Sequence, residues 1–272
     1  MKYHIKRIAV ATNFSAEADN ALEYAIFLAK KYSAGLDIIH AVAPARIGKG
    51  QMVSAAYEKL KQYKAGILEQ QGIEAKVYAR MKEVTDFIYD YCVSNKTDLL
   101  IIGVQPHVKK YFGESKSYGI IMKVECPVLS IPPSFKKYDF GHVLFPVRDV
   151  SGVEEKLFYS KPFIDNNRSE LHLINFGQQN PATIDELVEK AMREGIKVGI
   201  LDYNGGTSPK DISSRIVTLA GEKDDDLIVI NATKEKEWYR VFGENYTEYI
   251  LKEADIAVLS ITHAFESEDT VN

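Results

Sequence analysis

The sequence is poor in cysteine and in long apolar runs, and each shortage excludes a class of protein. Its 272 residues include two cysteines, Cys92 and Cys126, without CxxC spacing. Neither a disulfide-rich secreted fold nor a cysteine zinc site is therefore expected, and we predict two buried thiols in a reducing cytoplasm. No apolar run approaches the ~20 residues of a membrane helix, and the first residues lack a signal-peptide core, so no membrane partner is expected.

Positive charge and catalytic motifs are also scarce. The net charge of −4 gives no support to a nucleic-acid partner, because such proteins usually carry a basic face. The sequence shows neither a P-loop nor a GxSxG elbow, and no side chains have metal-ligand spacing. We therefore expect no catalytic residues and no metal. A hydrophobic content of 46% with 26% charged residues is typical of a globular protein.

The sequence repeats itself once. The segments FGESKSYGIIMKVECPVLSI, from Phe112, and FGENYTEYILKEADIAVLSI, from Phe242, are 130 positions apart and share eight of twenty residues. Upstream, DLLII (from Asp98) and DLIVI (from Asp226) are 128 positions apart. A period this long indicates a duplicated domain, since solenoid repeats span ~20–50 residues. We predict a first domain over residues 1–133, a linker over 134–139 and a second domain over 140–265.

Short apolar runs alternate with helical patterns in both copies. RIAVAT, from Arg7, predicts a strand, and the following segment to Tyr32 predicts a helix that Ser15 caps. The second copy repeats the order, with its first helix interrupted at Pro162 and a later helix ending at Gly195. Continuous apolar strands indicate a parallel sheet with helices on both faces, so the fold class is α/β. Ligands of such sheets bind beyond the carboxyl ends of the strands.

These segments resemble the universal stress protein family. The resemblance depends on IAVATNFSAEADNALEYAIFLAKKYSAGLDIIHAV, on DLLIIG and on CPVLSIP, and the internal repeat extends it to the second half. It implies two tandem doubly wound five-stranded parallel sheets of order 3-2-1-4-5, the adenine nucleotide alpha hydrolase-like arrangement. It also implies an internal pseudo-dimer, in which the two domains pair through their last strands, and suggests that the chain forms homodimers.

In many members of the family, ATP lies across strands one and four. The family pattern is G-x-x-G, nine residues and then G-[ST], with backbone N–H groups and a helix N-terminus holding the phosphates. An aspartate at the end of strand one contacts the adenosine. The candidate nucleotide-binding residues are Asn13, Ser15, Gly103, Gly113 and Ser115 in the first copy, and Asp149, Ser151, Gly243 and Asn245 in the second.

The sequence departs from this pattern in both copies. Pro106, which has no N–H, stands where the second glycine belongs, Glu114 follows Gly113 in place of serine or threonine, and Asn13 replaces the aspartate. The loop is also short, with six residues between Pro106 and Gly113. In the second copy, Asn231 and Lys234 replace the two glycines and Glu244 follows Gly243, whereas Asp149 matches.

Two interpretations of the glutamates stay open. A carboxylate at a helix N-terminus is favourable by ~0.3–1 kcal/mol and would take a phosphate's place; a phosphate within ~4 Å would meet repulsion of ~4 kcal/mol per charge pair. Alternatively, Glu114 and Glu244 merely start helices that Ser115 and Asn245 cap. Asp149 and Ser151 likewise form either a residual site or a helix cap. Basic loop residues either hold an anion or are solvated: Lys109, Lys110, Lys234, Lys236 and Arg240.

The sequence therefore predicts a non-catalytic stress-response or regulatory protein that requires no cofactor and binds ATP weakly or not at all. The alternative is a protein that binds ATP or AMP through an altered loop, with slow ATP hydrolysis. A third hypothesis, a small-molecule enzyme of the wider adenine-binding group, is disfavoured by the missing catalytic motif.

Overall fold

The computed structural model describes residues 3–45, 47–107, 115–147, 152–164, 169–176, 181–203, 205–206, 208–232 and 245–262. The strands in these ranges are β1 (Arg7–Ala11), β2 (Gly35–Val42), β3 (Ala75–Met81), β4 (Leu99–Gly103), β5 (Val128–Ile131), β6 (His142–Val147), β7 (Glu170–Asn175), β8 (Lys197–Leu201), β9 (Leu227–Ala232) and β10 (Ala257–Thr262). The helices are α1 (Ala16–Tyr32), α2 (Lys49–Gln71), α3 (Val84–Asn95), α4 (Lys116–Ile121), α5 (Val153–Ser160), α6 (Pro181–Arg193), α7 (Pro209–Glu222) and α8 (Tyr246–Glu253).

The strands form one ten-stranded sheet of order β3-β2-β1-β4-β5-β10-β9-β6-β7-β8. Each half therefore has the predicted order 3-2-1-4-5, with parallel pairing inside it. The halves meet where β5 and β10 pair antiparallel, with Leu129 opposite Leu259. These two leucines are 130 positions apart, the offset of the sequence repeat, so a pseudo-twofold axis passes between them. The predicted internal pairing through the last strands is confirmed.

Helices cover both faces of the sheet, as the apolar strands predict. One core cluster includes Leu28 of α1, Leu60 of α2 and Leu157 of α5. The other includes Phe87 of α3 and Ile250 of α8. Strand residues such as Ile101 and Ile102 go to opposite clusters because successive side chains point to opposite faces. Among the described residues, no helix combines the length and apolarity needed to cross a membrane.

Local sequence signals set several helix ends. Ser15 accepts the N–H of Ala18 and caps α1, and Glu17 and Asp19 lie in its first turn, both as predicted. Helix α5 ends at Ser160, followed by a 3-10 turn that contains Pro162. Gly195 has a φ of 78°, which suits a residue just after a helix end. Helix α4 ends at Ile121, where the chain turns to enter β5.

An equivalent aspartate in each half holds the start of the first strand. Asp98 Oδ2 accepts the N–H groups of Lys6 and Arg7 at 2.8 Å each. In the second half, Asp226 Oδ2 accepts the N–H groups of Gly141 and His142 at 2.8 and 3.0 Å. The first residue of the repeated DLLII and DLIVI segments is therefore structural: it holds the amino end of a neighbouring strand.

The segment between the halves packs against α1. The side chain of Asn20 donates to the carbonyl oxygens of Pro132 (2.8 Å) and Phe135 (3.1 Å). Phe135 and Phe140 are both buried, and their rings stack. The connection is thus anchored to the core through Phe135 and Phe140, whereas Lys136, Lys137 and Asp139 are exposed.

Candidate nucleotide site

The carboxyl end of β1 is a tight turn that leads into α1. The Thr12 hydroxyl accepts the N–H of Phe14 at 2.9 Å, and Asn13 Oδ1 accepts the N–H of Ser15 at 3.0 Å. Phe14 has a φ of 62°, and its ring lies 4.5 Å from that of His40. Asn13 is exposed but engaged in this turn, and Ser15 caps the helix. Both residues thus lie where the sequence predicted, at the edge of the sheet that binds ligands in this architecture.

Gly103 ends β4 and lies against the backbone of α1. A Cβ atom at this position would come within 2.4 Å of the Glu17 carbonyl oxygen and 2.8 Å of the Ala18 nitrogen. Only glycine allows this approach of strand and helix without displacing one of them. The structure therefore brings Gly103 together with the cap at Ser15 and gives it a packing role, whether or not a ligand binds.

The chain after β4 turns towards the second half. The N–H of Val104 donates to Ile131 O at 3.0 Å, and the N–H of His107 donates to Lys252 O at 2.6 Å. The His107 ring also lies 3.1 Å from an Asp255 carboxylate oxygen and 3.5 Å from one of Glu253. Pro106 has no N–H, so the start of this loop offers few donors to a phosphate, and acidic side chains surround it.

Side chains accept two of the N–H groups at the start of helix α4. The Ser115 hydroxyl accepts the N–H of Tyr118 at 3.2 Å, which confirms the predicted cap. The N–H of Ser115 itself donates to Glu248 Oε1 at 2.8 Å, and Glu248 belongs to α8 of the second half. Glu248 is 8% exposed, and Lys252 lies 3.3 Å from it. A buried carboxylate therefore occupies the helix N-terminus at which the family pattern places a phosphate.

Asn245 connects the same two helices from the other side. Its Oδ1 accepts the N–H groups of Thr247 (2.9 Å) and Glu248 (3.4 Å), which makes it the predicted cap of α8. Its Nδ2 donates to the Tyr118 hydroxyl of the first half at 3.0 Å. Asn245 is 9% exposed, so its amide is used in joining α4 to α8.

Lys156 is the unusual charge at the equivalent edge of the second half. Its amine donates to the carbonyl oxygen of Pro146 in β6 and lies 4.1 Å from the centre of the Phe145 ring. The side chain is buried, and this burial lowers the pKa of the amine to about 7. Asp149 and Ser151, which the sequence singled out for this edge, lie outside the described residues.

Other predicted residues also lie outside the described ranges: Gly113, Glu114, Gly243, Glu244 and the basic loop residues Lys109, Lys110, Lys234, Lys236 and Arg240. The structure thus places five of the candidate residues, Asn13, Ser15, Gly103, Ser115 and Asn245. Within the described part of the chain, no three His, Cys, Asp or Glu side chains are arranged to hold a metal ion.

Glu248 is the site residue that the sequence analysis missed. The spacing Asn245-x-x-Glu248 is typical of a capping box, in which the glutamate reaches back to its own helix cap. Here it reaches across the pseudo-twofold axis to Ser115 instead. The pattern predicts that the Glu248 carboxylate accepts a backbone N–H group. Which N–H group it accepts depends on the packing of α4 on α8.

The fold and site define a class: a tandem α/β protein whose two five-stranded units share one sheet, with helix N-termini at the carboxyl edge of each unit. Residues 4–132 match the model of the universal stress protein family. The first half of the chain therefore matches that family in sequence, and the second half repeats the strand order of the first. This match supports a stress-response protein as the broad functional class.

Solved structures resemble the chain over nearly its whole length. One is a universal stress protein from Archaeoglobus fulgidus, 18% identical, covering 98% of this chain and 99% of its own, with a TM-score of 0.76. Another is a functionally unknown protein from Pseudomonas aeruginosa, 17% identical, covering 95% and 92%, with a TM-score of 0.58. Identities this low establish the shared tandem fold only. A search of curated proteins found no match to the sequence.

Proposed function

We propose that the protein is a non-catalytic regulator of the stress response that requires no cofactor and that binds ATP weakly or not at all. The observation that carries the proposal is the Glu248 carboxylate on the N–H of Ser115, 2.8 Å away. To seat a phosphate at this helix N-terminus, the carboxylate would have to leave its donor, or two negative groups would have to lie side by side.

The sizes of the free energies involved favour the exclusion of ATP from this helix N-terminus. Two unit charges ~4 Å apart repel by ~4 kcal/mol at an effective dielectric of 20, and millimolar binding corresponds to about −4 kcal/mol. Lys252, 3.3 Å from Glu248, offsets part of this repulsion. The short loop with Pro106 and the acidic partners of His107 act in the same direction. The proposal therefore needs no single residue to abolish binding completely.

The test is calorimetric titration of the full chain with magnesium ATP. We expect a dissociation constant of about a millimolar or weaker, the range in which binding energy only balances the repulsion. Glu248→Gln keeps an acceptor for Ser115 but removes the charge, and should tighten binding about tenfold, or ~1.4 kcal/mol. Glu222→Gln on α7, with the same loss of charge away from the edge, is the matched control.

Micromolar affinity of the unaltered chain would overturn the proposal and support the alternative, an ATP- or AMP-binding protein with slow hydrolysis. Hydrogen exchange would then show protection of the amides between Gly103 and Ser115 or between Asn231 and Asn245. Phosphate release would show whether hydrolysis follows. No protection at millimolar nucleotide would remove that alternative.

Location and assembly complete the proposal. We place the protein in the cytoplasm, a reducing compartment that suits its two free, buried cysteines. Beyond the pairing of its own halves, we propose that the chain forms homodimers. Exposed apolar side chains on the outermost strands, Tyr78 of β3 and Ile200 of β8, offer surfaces for this. A strictly monomeric mass in sedimentation equilibrium at micromolar concentrations would contradict it.

A further inference from the structure

A cavity of about 330 Å³ lies at the amino ends of the first half's strands, opposite the nucleotide edge. Both cysteines of the chain line it, together with Tyr3, Lys96, Glu125 and Tyr159. Lys96 and Glu125 are exposed, so the cavity communicates with solvent. Cys92 and Cys126 are only 5% and 9% exposed on the surface as a whole. Both cysteines are therefore largely buried, and they lie in the wall of a cavity that opens to solvent.

The two thiols come from different elements and meet here. Cys92 lies in α3, whereas Cys126 lies in the turn that leads into β5. A hydrogen bond from Cys126 lowers the pKa of the Cys92 thiol, with a smaller contribution from Thr97. The pKa of Cys126 is raised well above its ordinary value, because it is the donor and is buried. The pair thus has an unequal division of roles, with Cys92 as the better nucleophile.

The second half shows that packing does not require this pair. The N–H of Thr97 donates to Cys92 O at 3.0 Å, and the equivalent N–H of Asp225 donates to Ala220 O at 2.9 Å. Ala220 therefore replaces Cys92, and Ile256, at the offset of 130, replaces Cys126. Ala220 lies in the same apolar cluster as Cys92 and Cys126, and Ile256 packs against that cluster. Alkyl side chains fill these positions in the second half, so packing alone does not explain the two thiols of the first half.

We propose that Cys92 and Cys126 form a peroxide-sensitive dithiol, and that hydrogen peroxide entering the cavity converts them to an intrachain disulfide. The Cys92 thiolate attacks the O–O bond of the peroxide; an S–O bond forms, the O–O bond breaks, and hydroxide leaves. The product is a sulfenic acid on Cys92. The sulfur of Cys126 then attacks the Cys92 sulfur, forming the S–S bond and breaking the S–O bond, and water leaves with the proton of Cys126. The two thiols lose two electrons, and one peroxide becomes two waters.

The position of the pair connects this chemistry to the junction of the halves. Tyr159, which lines the cavity, comes from α5 of the second half, and its ring packs on Tyr3 with centroids 4.7 Å apart. Cys126 directly precedes Pro127 and β5, the strand that pairs with β10. A disulfide would therefore join α3 to the strand that connects the two halves.

The test exposes the folded full chain to hydrogen peroxide and follows free thiols by alkylation and mass spectrometry. We expect both thiols to disappear together, a mass lower by two hydrogen atoms, and a linked pair of peptides containing Cys92 and Cys126. Cys126→Ala should stop at the sulfenic acid, which dimedone traps on Cys92. Cys92→Ala, which copies Ala220, should leave Cys126 at least about tenfold less reactive, because Cys126 is buried and burial disfavours its thiolate.

Melting curves of both variants show whether each is folded before oxidation, and unfolded chain in urea gives the intrinsic thiol rate. Faster oxidation of Cys92 in the folded chain than in urea supports the site. Three results would each overturn the proposal: thiols that survive peroxide in the folded chain, disulfides formed only between chains, or a folded rate no faster than that in urea.

Discussion

The two halves of the molecule share a topology but not the details of their ligand edges. Both place an aspartate under the start of their first strand, and both end in a strand at the pseudo-twofold axis. At the carboxyl edge they differ. The first half has a side-chain cap on a helix of 17 residues, whereas the helix of the second half has eight and begins after Gly152. The shared core fixes the fold, and the edge is free to change.

One substitution accounts for part of this difference. β1 pairs with β4 over four residues, Ile8 to Ala11, whereas β6 pairs with β9 over only two, Val143 and Leu144. Pro146 follows in β6, and proline has no N–H to donate to a neighbouring strand. Its carbonyl oxygen accepts the amine of Lys156 instead. The pairing of the first and fourth strands therefore ends earlier in the second half than in the first half.

The largest expected effect comes from filling the contact at Gly103. Gly103→Ala places a Cβ atom 2.4 Å from the Glu17 carbonyl oxygen, against backbone that cannot move cheaply. We expect a loss of about 2–4 kcal/mol in the free energy of unfolding, measured by urea titration. Gly66→Ala in α2, where a Cβ meets nothing within 4 Å, is the control, and should be neutral or stabilising by up to ~1 kcal/mol.

A substitution at the equivalent position of the second half tests whether its edge is packed as tightly as that of the first half. Asn231, which matches Gly103 at the offset of 128, already carries a side chain. Asn231→Ala should therefore cost no more than about 1 kcal/mol. A loss as large as that of Gly103→Ala would show that both edges are equally constrained, contrary to the comparison.

Sequence patterns predicted the fold well because its main determinants are local or repeated. Apolar runs, helix caps and the internal repeat indicated the α/β class and the two domains, and the family resemblance implied the strand order and the internal pairing. The contacts at the edge could not be predicted in the same way. Glu248 contacts Ser115 only after two distant helices pack together, and the buried Lys156 amine contacts Pro146 and Phe145 of β6 only once α5 packs on that strand. Neither contact produces a periodic pattern in the sequence from which it could be predicted.

The next test concerns Lys156 of the second half. Burying its charged amine costs free energy, and the described residues of the first half do not show such a buried amine. Its pKa is about 7 in the folded protein, below the ordinary 10.5 of the unfolded chain. Below pH 7 both states are protonated, and the fold bears the full cost of the buried charge. Between about pH 7 and 10.5 the unfolded chain binds more protons, so stability rises with pH.

Lys156→Met should remove that cost. We expect the variant to be more stable than the original chain by on the order of 2 kcal/mol at pH 6, with the gain shrinking towards pH 10. Urea unfolding at both pH values measures it. Lys210→Met, an exposed lysine of α7, should show no change of its effect with pH. A gain for Lys156→Met that is equally large at pH 6 and pH 10 would contradict the buried charge.

The smallest difference should come from the paired aspartates, where the halves are most alike. Asp226 is 5% exposed and also contacts Lys137 Nζ at 2.7 Å, whereas Asp98 is half-buried. Removing either carboxylate leaves two strand-start N–H groups without their partner. Because the carboxylate of Asp226 is better shielded from water than that of Asp98, we expect Asp226→Ala to cost about 2 kcal/mol and Asp98→Ala about 1 kcal/mol.

Asp139→Ala, an 86% exposed aspartate in the segment between the halves, is the control and should be close to neutral in the same urea titrations. The double variant at Asp98 and Asp226 should lose the sum of the single effects within ~0.5 kcal/mol if the strand starts act independently. A larger Asp98 effect would mean that shielding from water does not set the strength of these contacts. If the double variant loses much less free energy of unfolding than the sum of the single losses, the first substitution already weakens the other half through the joined sheet. The two halves would then have to be treated as one cooperative unit.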